Sequence, residues 1–436
     1  MSDSLGTTRS RIWRLSWPAM ISGVSVPLLG LIDTSVVGRL SQPEALGGVA
    51  LGSWLFDLLY WSFGFLRMGT TGLVAQARGA EQVSSLRPLL ARPLLIGLIS
   101  GVVMIIAGQT LSHIALDCIG GEASAELTLT ADQYFLARLW GGPAVLMNYA
   151  CLGWLLGMGR VKLALASQLS LNGINMILSL WWGSIWGVEG VGGASAAAQW
   201  LVALGWGGVI WCKLCPQVPL NILWVALRDR EAWLRLAVLN FDLWVRTSLL
   251  LCVFGLMNAT GARLGGLTLS ANALLLHLQS LQAFVLDGFA HGAEVIVGER
   301  LGRGDRTGYR SALRAGAEWT LITALLIAGI YTIAAGPLLA LLTHHEEVVI
   351  EAQRYLIWAI ISPLISAPCF LLDGVMIGAT ESATMRRGMI VSSVVFGCCL
   401  LMCVPIWGNH GLWLSLMIFM TARFLTLIPR ALERGQ

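Results

Sequence analysis

Charged residues are scarce in this chain of 436 residues: 28 are Lys or Arg and 24 are Asp or Glu, together 12% of the sequence. Globular proteins carry about 25% charged residues. A chain of this length would ordinarily hold about two or three soluble domains, but it has too few polar side chains to cover their surfaces. With 56% hydrophobic residues and a mean hydropathy of +0.74, the sequence predicts a polytopic membrane protein. The net charge of +4 does not indicate nucleic-acid binding.

Motifs of several enzyme classes are also absent. The sequence contains no Walker motif, no G-x-S-x-G and no Gly-rich phosphate loop, so we expect an ion gradient and not ATP as the direct energy source. The segment His344–Glu347 lacks the H-E-x-x-H spacing of a zinc protease. The nine cysteines are odd in number and lie mostly in apolar runs, which argues against a disulfide framework. We therefore expect a non-enzyme without catalytic residues, metal or cofactor.

Long apolar runs take the place of the missing polar surface. A helix needs about 20 apolar residues to cross the hydrocarbon core of a bilayer. Runs of this length predict twelve transmembrane helices, near residues 15–38, 46–75, 93–112, 133–157, 163–183, 190–212, 236–259, 266–297, 315–341, 355–378, 389–407 and 411–429. The predicted fold class is therefore all-α integral membrane.

The basic residues are distributed unevenly between the predicted loops. Most of the 28 lie in the termini and alternate loops on one side, whereas Arg39, Arg263 and Arg354 lie on the other. Under the positive-inside rule, this bias predicts that both termini are cytoplasmic. The cytoplasmic linker 213–235 is long enough for an amphipathic surface helix.

The two halves of the sequence resemble each other at an offset of about 221–224 residues. Tyr134 and Gly153, for example, match Tyr355 and Gly374. Because the offset contains six predicted helices, an even number, the copies have the same orientation in the membrane. We therefore predict an N-lobe (1–212) and a C-lobe (236–436), two pseudo-symmetric six-helix bundles around a central cleft. This arrangement is suited to alternating access.

Asp33 is the most informative ionisable residue, because it lies deep in the first predicted helix with no basic residue within one turn. A charge there is costly, so a carboxyl that exchanges a proton is the functional interpretation, and a neutral, hydrogen-bonded Asp is the alternative. Pro27 permits a helix bend before it. The possible neighbours are polar residues of the fourth to sixth helices: Tyr134, Asn148, Asn172, Asn175, Ser179 and Ser195.

The second half contains its own polar residues. Asp287, His291 and Glu294 follow i, i+4, i+7 spacing, which favours either a proton relay or a polar stripe lining the cleft. Asp373 is a further candidate for this secondary polar network. The i, i+4 spacing of Asp242 and Arg246 predicts a local ion pair.

Aromatic and Met side chains could form an apolar cavity for flat or cationic ligands, although such residues more often face lipid or pack between helices. The candidates are Trp54, Phe56, Trp61, Met68, Met147, Trp154 and Met158, of which we single out Phe56, Trp61, Met147 and Trp154.

Several blocks in order resemble the multidrug and toxic compound extrusion (MATE) transporters, specifically their bacterial DinF branch. They are VPLLGLIDT at 26–34, FLRMGTTGLVAQA at 65–77, LDGFA at 286–290, YLIW at 355–358, LDGVMIGAT at 372–380 and GNHGLWL at 408–414.

The resemblance implies drug efflux by H⁺ or Na⁺ antiport across a bacterial inner (plasma) membrane. It also implies proton action at Asp33, a helix hinge at Pro27, and partners at Asn175 and Tyr134, with Ser195 in place of the family's Thr. Ser179 stands where relatives often carry an Asp, which weakens a two-carboxylate Na⁺ site and favours protons.

We therefore predict a monomeric, proton-coupled exporter of drugs and toxic organic cations, in contact with the lipid bilayer. The alternatives are a Na⁺-coupled antiporter of the same family, a flippase for lipid-linked saccharides, and a membrane enzyme or scaffold. A flippase for pyrophosphate-linked substrates would place several basic residues inside the cleft, and only Arg67, Arg138 and Arg246 qualify.

Overall fold

The computed structural model describes residues 5–37, 43–119, 125–216, 219–343 and 345–436. Within these ranges, the side chains of 24–37, 43–45, 109, 111, 113–119, 125 and 220 are outside the description. The described residues form helices and connecting turns, with no strand among them. The predicted all-α membrane fold is thus confirmed.

The chain folds into a succession of α-helices. The first eight are α1 (Leu5–Val37), α2 (Pro43–Trp61), α3 (Phe65–Gly79), α4 (Pro88–Ile119), α5 (Ala125–Leu139), α6 (Gly142–Gly157), α7 (Val161–Val209) and α8 (Leu220–Arg228). The remaining helices are α9 (Arg230–Leu264), α10 (Gly266–Gly302), α11 (Arg306–Leu342), α12 (Glu346–Arg354), α13 (Leu356–Gly378), α14 (Ser382–Trp407) and α15 (Asn409–Gly435). The short α8 lies in the linker 213–235, where the sequence predicts an amphipathic helix.

By length and composition, the described residues contain nine candidate membrane spans, or ten if the bent pair α5–α6 counts as one. One of the nine contains α7, whose 49 residues would extend about 74 Å as a straight helix, over twice the thickness of a bilayer core. It therefore contains two spans. Counting these separately and adding α1 gives the predicted twelve.

The helix α7 turns back on itself at Gly187, which has φ 61° and ψ −136°, a conformation available essentially to glycine alone. Its two arms, 161–186 and 188–209, then pack side by side. A Cβ atom on Gly190 would lie 2.3 Å from the carbonyl oxygen of Trp182, which shows how close the arms are. This hairpin brings Asn175 and Ser195 into contact, although they would be about 30 Å apart along a straight helix.

The same hairpin recurs between α14 and α15. Gly408 separates them with φ 55° and ψ −129°, and a Cβ on Gly411 would lie 2.2 Å from the carbonyl oxygen of Cys403. Gly187, Gly190 and Trp182 are each 221 residues before these counterparts. The internal repeat predicted from sequence is therefore present in the backbone.

Close helix contacts also repeat. In the first half, a Cβ on Gly153 would lie 2.5 Å from the carbonyl oxygen of Arg67 on α3. In the second half, a Cβ on Gly374 would lie 2.2 Å from the carbonyl oxygen of Ala290 on α10. Small residues permit this backbone approach, which stabilises helix pairs in membranes.

Packing divides the chain into two compact units, an N-terminal unit (24–237) and a C-terminal unit (1–23 with 238–436). The C-terminal unit thus includes the start of α1, which belongs to the predicted N-lobe (1–212). In this unit, Arg11 Nη2 lies 2.9 Å from Glu299 Oε2. A Cβ on Gly292 would lie 2.5 Å from Ser16 Oγ. The predicted lobe boundaries 1–212 and 236–436 stay a prediction.

Candidate functional site

A buried polar cluster lies between the two arms of α7 in the N-terminal unit. Asn175 Oδ1 accepts hydrogen bonds from Ser195 Oγ at 2.9 Å and from Ser179 Oγ at 3.3 Å. All three side chains are buried. Spacing along one helix predicts that Asn175 and Ser179 share a face, whereas Ser195 joins them only because the chain reverses at Gly187.

Tyr134 lies on α5, which packs against the second arm of α7. A Cβ on Gly192, one turn before Ser195, would lie 2.7 Å from the carbonyl oxygen of Tyr134. The Tyr134 hydroxyl accepts a hydrogen bond from Arg138 Nη1 at 3.2 Å. The structure thus brings Tyr134 to the arm that holds Ser195, with Arg138, four residues further along α5, as a polar partner.

Arg138 is itself a buried cation with several partners. Its guanidinium donates to Ser53 Oγ at 2.9 Å and to Asp57 Oδ1 at 3.2 Å, and it stacks 4.1 Å from the ring centre of Phe56. The Asp57 side chain is 63% exposed. The ion pair therefore links the buried Arg138 to the surface of the unit.

The predicted coupling residue Asp33 and the predicted hinge Pro27 belong to α1. Their side chains lie outside the described residues, so both roles stay predictions. Among the other possible neighbours, Asn148 Nδ2 donates to Gln199 Oε1 at 2.8 Å.

The four aromatic and Met residues chosen for a substrate cavity fall into two groups. Trp154 is fully buried and donates from Nε1 to the Leu86 carbonyl at 3.1 Å. Phe56 is also buried, and stacks on Tyr60 with ring centres 4.1 Å apart. These two pack between helices, whereas Trp61 is exposed and Met147 is half-buried.

In the C-terminal unit, Asp373 accepts charge-assisted hydrogen bonds from both Arg246 and Arg423. All three side chains are buried. The predicted local pair of Asp242 with Arg246 is wrong, because each binds another helix. The Asp242 carboxylate accepts from Ser382 Oγ at 2.8 Å and from Arg386.

The predicted trio on α10 divides into two environments. His291 Nδ1 lies 3.1 Å from Glu294 Oε2, and Glu294 is fully buried. Asp287 interacts electrostatically with Arg423, beside Asp373. The pairing of His291 with Glu294 agrees with the predicted spacing, and a proton relay through all three residues stays a prediction.

Two buried groups are not among the predicted site residues. Arg423 is one of them, and its position within the predicted apolar run 411–429 is a usable signal for it. Asn272 and Asn409 form a reciprocal amide pair, with N···O distances of 2.7 and 2.9 Å. Trp413 Nε1 adds a bond of 2.8 Å to Asn272. Their 137-residue separation gives no local pattern.

At one end of the C-terminal unit, two carboxylates outside the membrane-spanning segments are held by cations and backbone. Burial opposes ionisation of Glu381, but hydrogen bonds from Arg430 and Arg434 outweigh it and hold the pKa of Glu381 below its ordinary value. The Gly308 N–H, with help from Thr307 and Arg300, lowers the pKa of the helix-capping Asp305. Among the described residues, no group of three or more His, Cys, Asp or Glu side chains could hold a metal ion.

Comparisons with known proteins agree with this architecture. The MatE family profile matches residues 18–181 and 245–418, one segment in each half. The DNA damage-inducible protein F of Escherichia coli is 36% identical, over 97% of this chain and 92% of its own length. A probable multidrug resistance protein NorM of Xylella fastidiosa is 24% identical, over 95% of this chain and 89% of its own.

Solved structures share the fold. The MATE transporter VcmN of Vibrio cholerae, in its bent form, has a TM-score of 0.87 at 17% identity, covering 99% of this chain and 98% of that one. A MOP superfamily transporter of Pyrococcus furiosus has a TM-score of 0.86 at 18% identity, covering 98% and 97%. From the family match and the near full-length relative, we conclude that this chain belongs to the MatE family of multidrug and toxic compound efflux transporters, which are not enzymes.

Proposed function

We propose that this multi-pass membrane protein exports cationic and amphipathic small molecules in exchange for protons, with Asp33 as the coupling carboxylate. The observation that carries the choice of ion is the geometry at Asn175. Its Oδ1 accepts hydrogen bonds from both Ser179 and Ser195. An amide oxygen has two lone pairs, so this oxygen is occupied and does not offer an open ligand to Na⁺.

The C-terminal unit supports the same choice. Na⁺ is a hard cation that prefers oxygen ligands, as Ca²⁺ and Mg²⁺ do. The carboxylate of Asp373 is already neutralised by the guanidinium groups of Arg246 and Arg423. A further cation there would be repelled by two fixed positive charges, which disfavours a sodium site at this carboxylate.

The proposed cycle depends on a difference in drug affinity between the protonated and deprotonated states of Asp33. Deprotonated Asp33 favours binding of a cationic drug, and protonation from the outside removes that attraction while α1 bends at Pro27 and releases the drug. The drug and the proton then each favour a different state of the protein, and this difference couples their fluxes.

Everted membrane vesicles with an established proton gradient and no Na⁺ test this proposal. Ethidium addition to vesicles with the wild-type protein is expected to collapse the gradient, read by acridine-orange dequenching. Asp33→Asn is expected to abolish the response while leaving membrane insertion intact.

Glu126→Gln is the matched control, because it removes an exposed carboxylate from the first turn of α5 in the same unit. It is expected to respond like the wild-type protein. Wild-type export by Asp33→Asn would place coupling elsewhere, with Asp287 and Glu294 the next candidates. Transport restored only by Na⁺, at clamped pH, would overturn proton coupling.

A flippase for lipid-linked saccharides receives less support from the same geometry. Two of the three arginines available to bind a pyrophosphate are paired, Arg138 with Asp57 and Arg246 with Asp373. If the wild-type protein transports no drug with either H⁺ or Na⁺ as the coupling ion, that result would nevertheless favour a flippase.

We also propose that both termini lie in the cytoplasm of a bacterial inner membrane, from the distribution of basic residues. A C-terminal green fluorescent protein fusion is expected to fluoresce, whereas an alkaline phosphatase fusion at the same residue is expected to be inactive. The reverse result would invert the topology.

A further inference from the structure

A cavity of about 370 Å³ lies at the end of the C-terminal unit where Arg430 and Arg434 hold Glu381. It is formed by the turn between α10 and α11 together with the last turns of α15. Its walls are Leu301, Gly304, Arg306, Arg430, Glu433 and Arg434. Half of these residues are arginines, and none belongs to the transport residues discussed so far.

The walls of this arginine cavity are fixed by hydrogen bonds between α11 and α15. The Tyr309 hydroxyl donates to the Ala431 carbonyl at 2.8 Å, and Arg310 Nε donates to the Gly435 carbonyl at 2.6 Å. The turn is held by Asp305, which accepts from the Gly308 N–H at 2.8 Å. The cavity is therefore organised before any ligand enters.

The cavity is rich in guanidinium hydrogen-bond donors. Arg430 Nη2 donates to Glu381 at 3.0 Å and its Nη1 to Glu433 at 3.0 Å, and Arg434 Nε donates to Glu381 at 2.7 Å. Arg306 Nη1 donates to the backbone carbonyl of Gln436 at 2.7 Å. Each of these three guanidinium groups has more N–H donors than these bonds use. An anion with several acceptor oxygens, such as a phosphate group, matches this donor set.

The outer face of α11 indicates that the phosphate belongs to a lipid. Arg306, Arg310 and Arg314 follow i, i+4, i+8 spacing, and the exposed Leu321 and Leu325 continue the same face. Arginines at a helix end followed by exposed leucines suit a phospholipid, with its phosphate at the membrane surface and an acyl chain along the helix.

We propose that the arginine cavity binds the headgroup phosphate of an anionic phospholipid. The ligand is recognised through Arg306, Arg430 and Arg434, and its acyl chain lies against the leucine face of α11. This binding stabilises the contact between α11 and α15, and it is independent of the ion that drives transport.

Native mass spectrometry of the full chain in neutral detergent tests the proposal, by titration with phosphatidylglycerol, phosphatidylcholine or inorganic phosphate. Phosphatidylglycerol is expected to bind the wild-type protein more tightly than phosphatidylcholine. Since a basic residue near an anionic surface contributes about 1 kcal/mol, Arg306→Gln is expected to weaken phosphatidylglycerol binding about fivefold. Arg306→Lys, which keeps the charge, is expected to lose less.

Arg387→Gln is the matched control, because Arg387 is an exposed arginine near the start of α14 that does not line the cavity. It is expected to bind phosphatidylglycerol like the wild-type protein. Equal losses in Arg306→Gln and Arg387→Gln would mean general surface attraction and overturn the site. Equal binding of the two lipids, or displacement of phosphatidylglycerol by equimolar inorganic phosphate, would overturn the lipid assignment.

Discussion

Gly187 and Gly408 adopt nearly the same left-handed conformation, φ 61°, ψ −136° and φ 55°, ψ −129°, although they are 221 residues apart. Each separates two helices that then pack side by side. A Cβ atom at either glycine would be strained irrespective of the available space, because L-residues rarely adopt this region. Duplication has therefore preserved a backbone geometry, and not only an apolar pattern.

Replacing either hinge glycine by alanine is expected to destabilise the protein. Gly187→Ala and Gly408→Ala should each lower the free energy of unfolding by about 1–3 kcal/mol, the usual cost of a residue in such a conformation. Thermal unfolding in detergent measures the effect. Gly397→Ala is the control, because Gly397 is helical and a Cβ atom added to it would meet nothing within 4 Å. An unchanged melting temperature in both hinge variants would contradict the strain argument.

The close approach of α10 and α13 predicts that a larger side chain between them destabilises the protein. A Cβ on Gly378 would lie 2.3 Å from the carbonyl oxygen of Glu294, so Gly378→Ala must push the two helices apart. We expect a loss of about 1–3 kcal/mol, typical of overpacking, although alanine is the better helix former. Gly329→Ala in α11 meets no atom within 4 Å and should be neutral or slightly stabilising. Equal melting temperatures for the two variants would show that the helices adjust freely.

Asp373 is expected to be more important for stability than an exposed acid. Asp373→Ala leaves Arg246 and Arg423 buried without their carboxylate, and breaking such a buried pair costs about 3–5 kcal/mol. Glu433→Ala, at a 60% exposed side chain paired with Arg430, should cost at most about 1 kcal/mol. Comparison of chemical unfolding midpoints measures both, and a small loss in Asp373→Ala would contradict the view that this ion cluster is structural.

The lowered pKa of Glu381 predicts that the stability of the protein depends on pH. Because its pKa is lowered in the folded protein, its contribution is present above the pKa of a free Glu, about 4.3, and is lost as the pH falls through the lower, folded value. Glu381→Gln should therefore melt at a lower temperature than the wild-type protein at pH 7, and the difference should narrow below about pH 4. Melting curves across this pH range test the prediction, with Glu433→Gln as control. A difference that stays constant with pH would exclude an electrostatic cause.

Much of the architecture could be predicted from the sequence. Apolar runs have a physical minimum length in a bilayer, so they indicate the spans directly, and the matched glycines of the two halves indicate the repeat. The sequence also separates the two arms of α7, because charge and glycine interrupt the apolar pattern near Glu189. In the structure, the helical hydrogen bonding continues through this turn, so that α7 includes both arms.

The partners of the polar residues were harder to predict, since spacing reports only on one helix. Asn175 and Ser179 share a face and could be grouped, whereas Asp373 binds arginines that are 127 and 50 residues away. The rule for i, i+4 ion pairs failed at Asp242 and Arg246 because each faces a different neighbouring helix, where tertiary contacts are stronger than the local one. An aromatic residue in a span likewise suits a packing position as well as a cavity, and the buried Trp154 and Phe56 pack between helices.

The start of α1 has a consequence for synthesis. Arg9 binds Glu318 with a 2.5 Å contact across 309 residues of sequence. At about 5–20 residues per second, the ribosome needs about 15–60 s to make the intervening chain. During that time the first helix has no access to these partners in the C-terminal unit, so its contact with Glu318 forms only after most of the chain has been made.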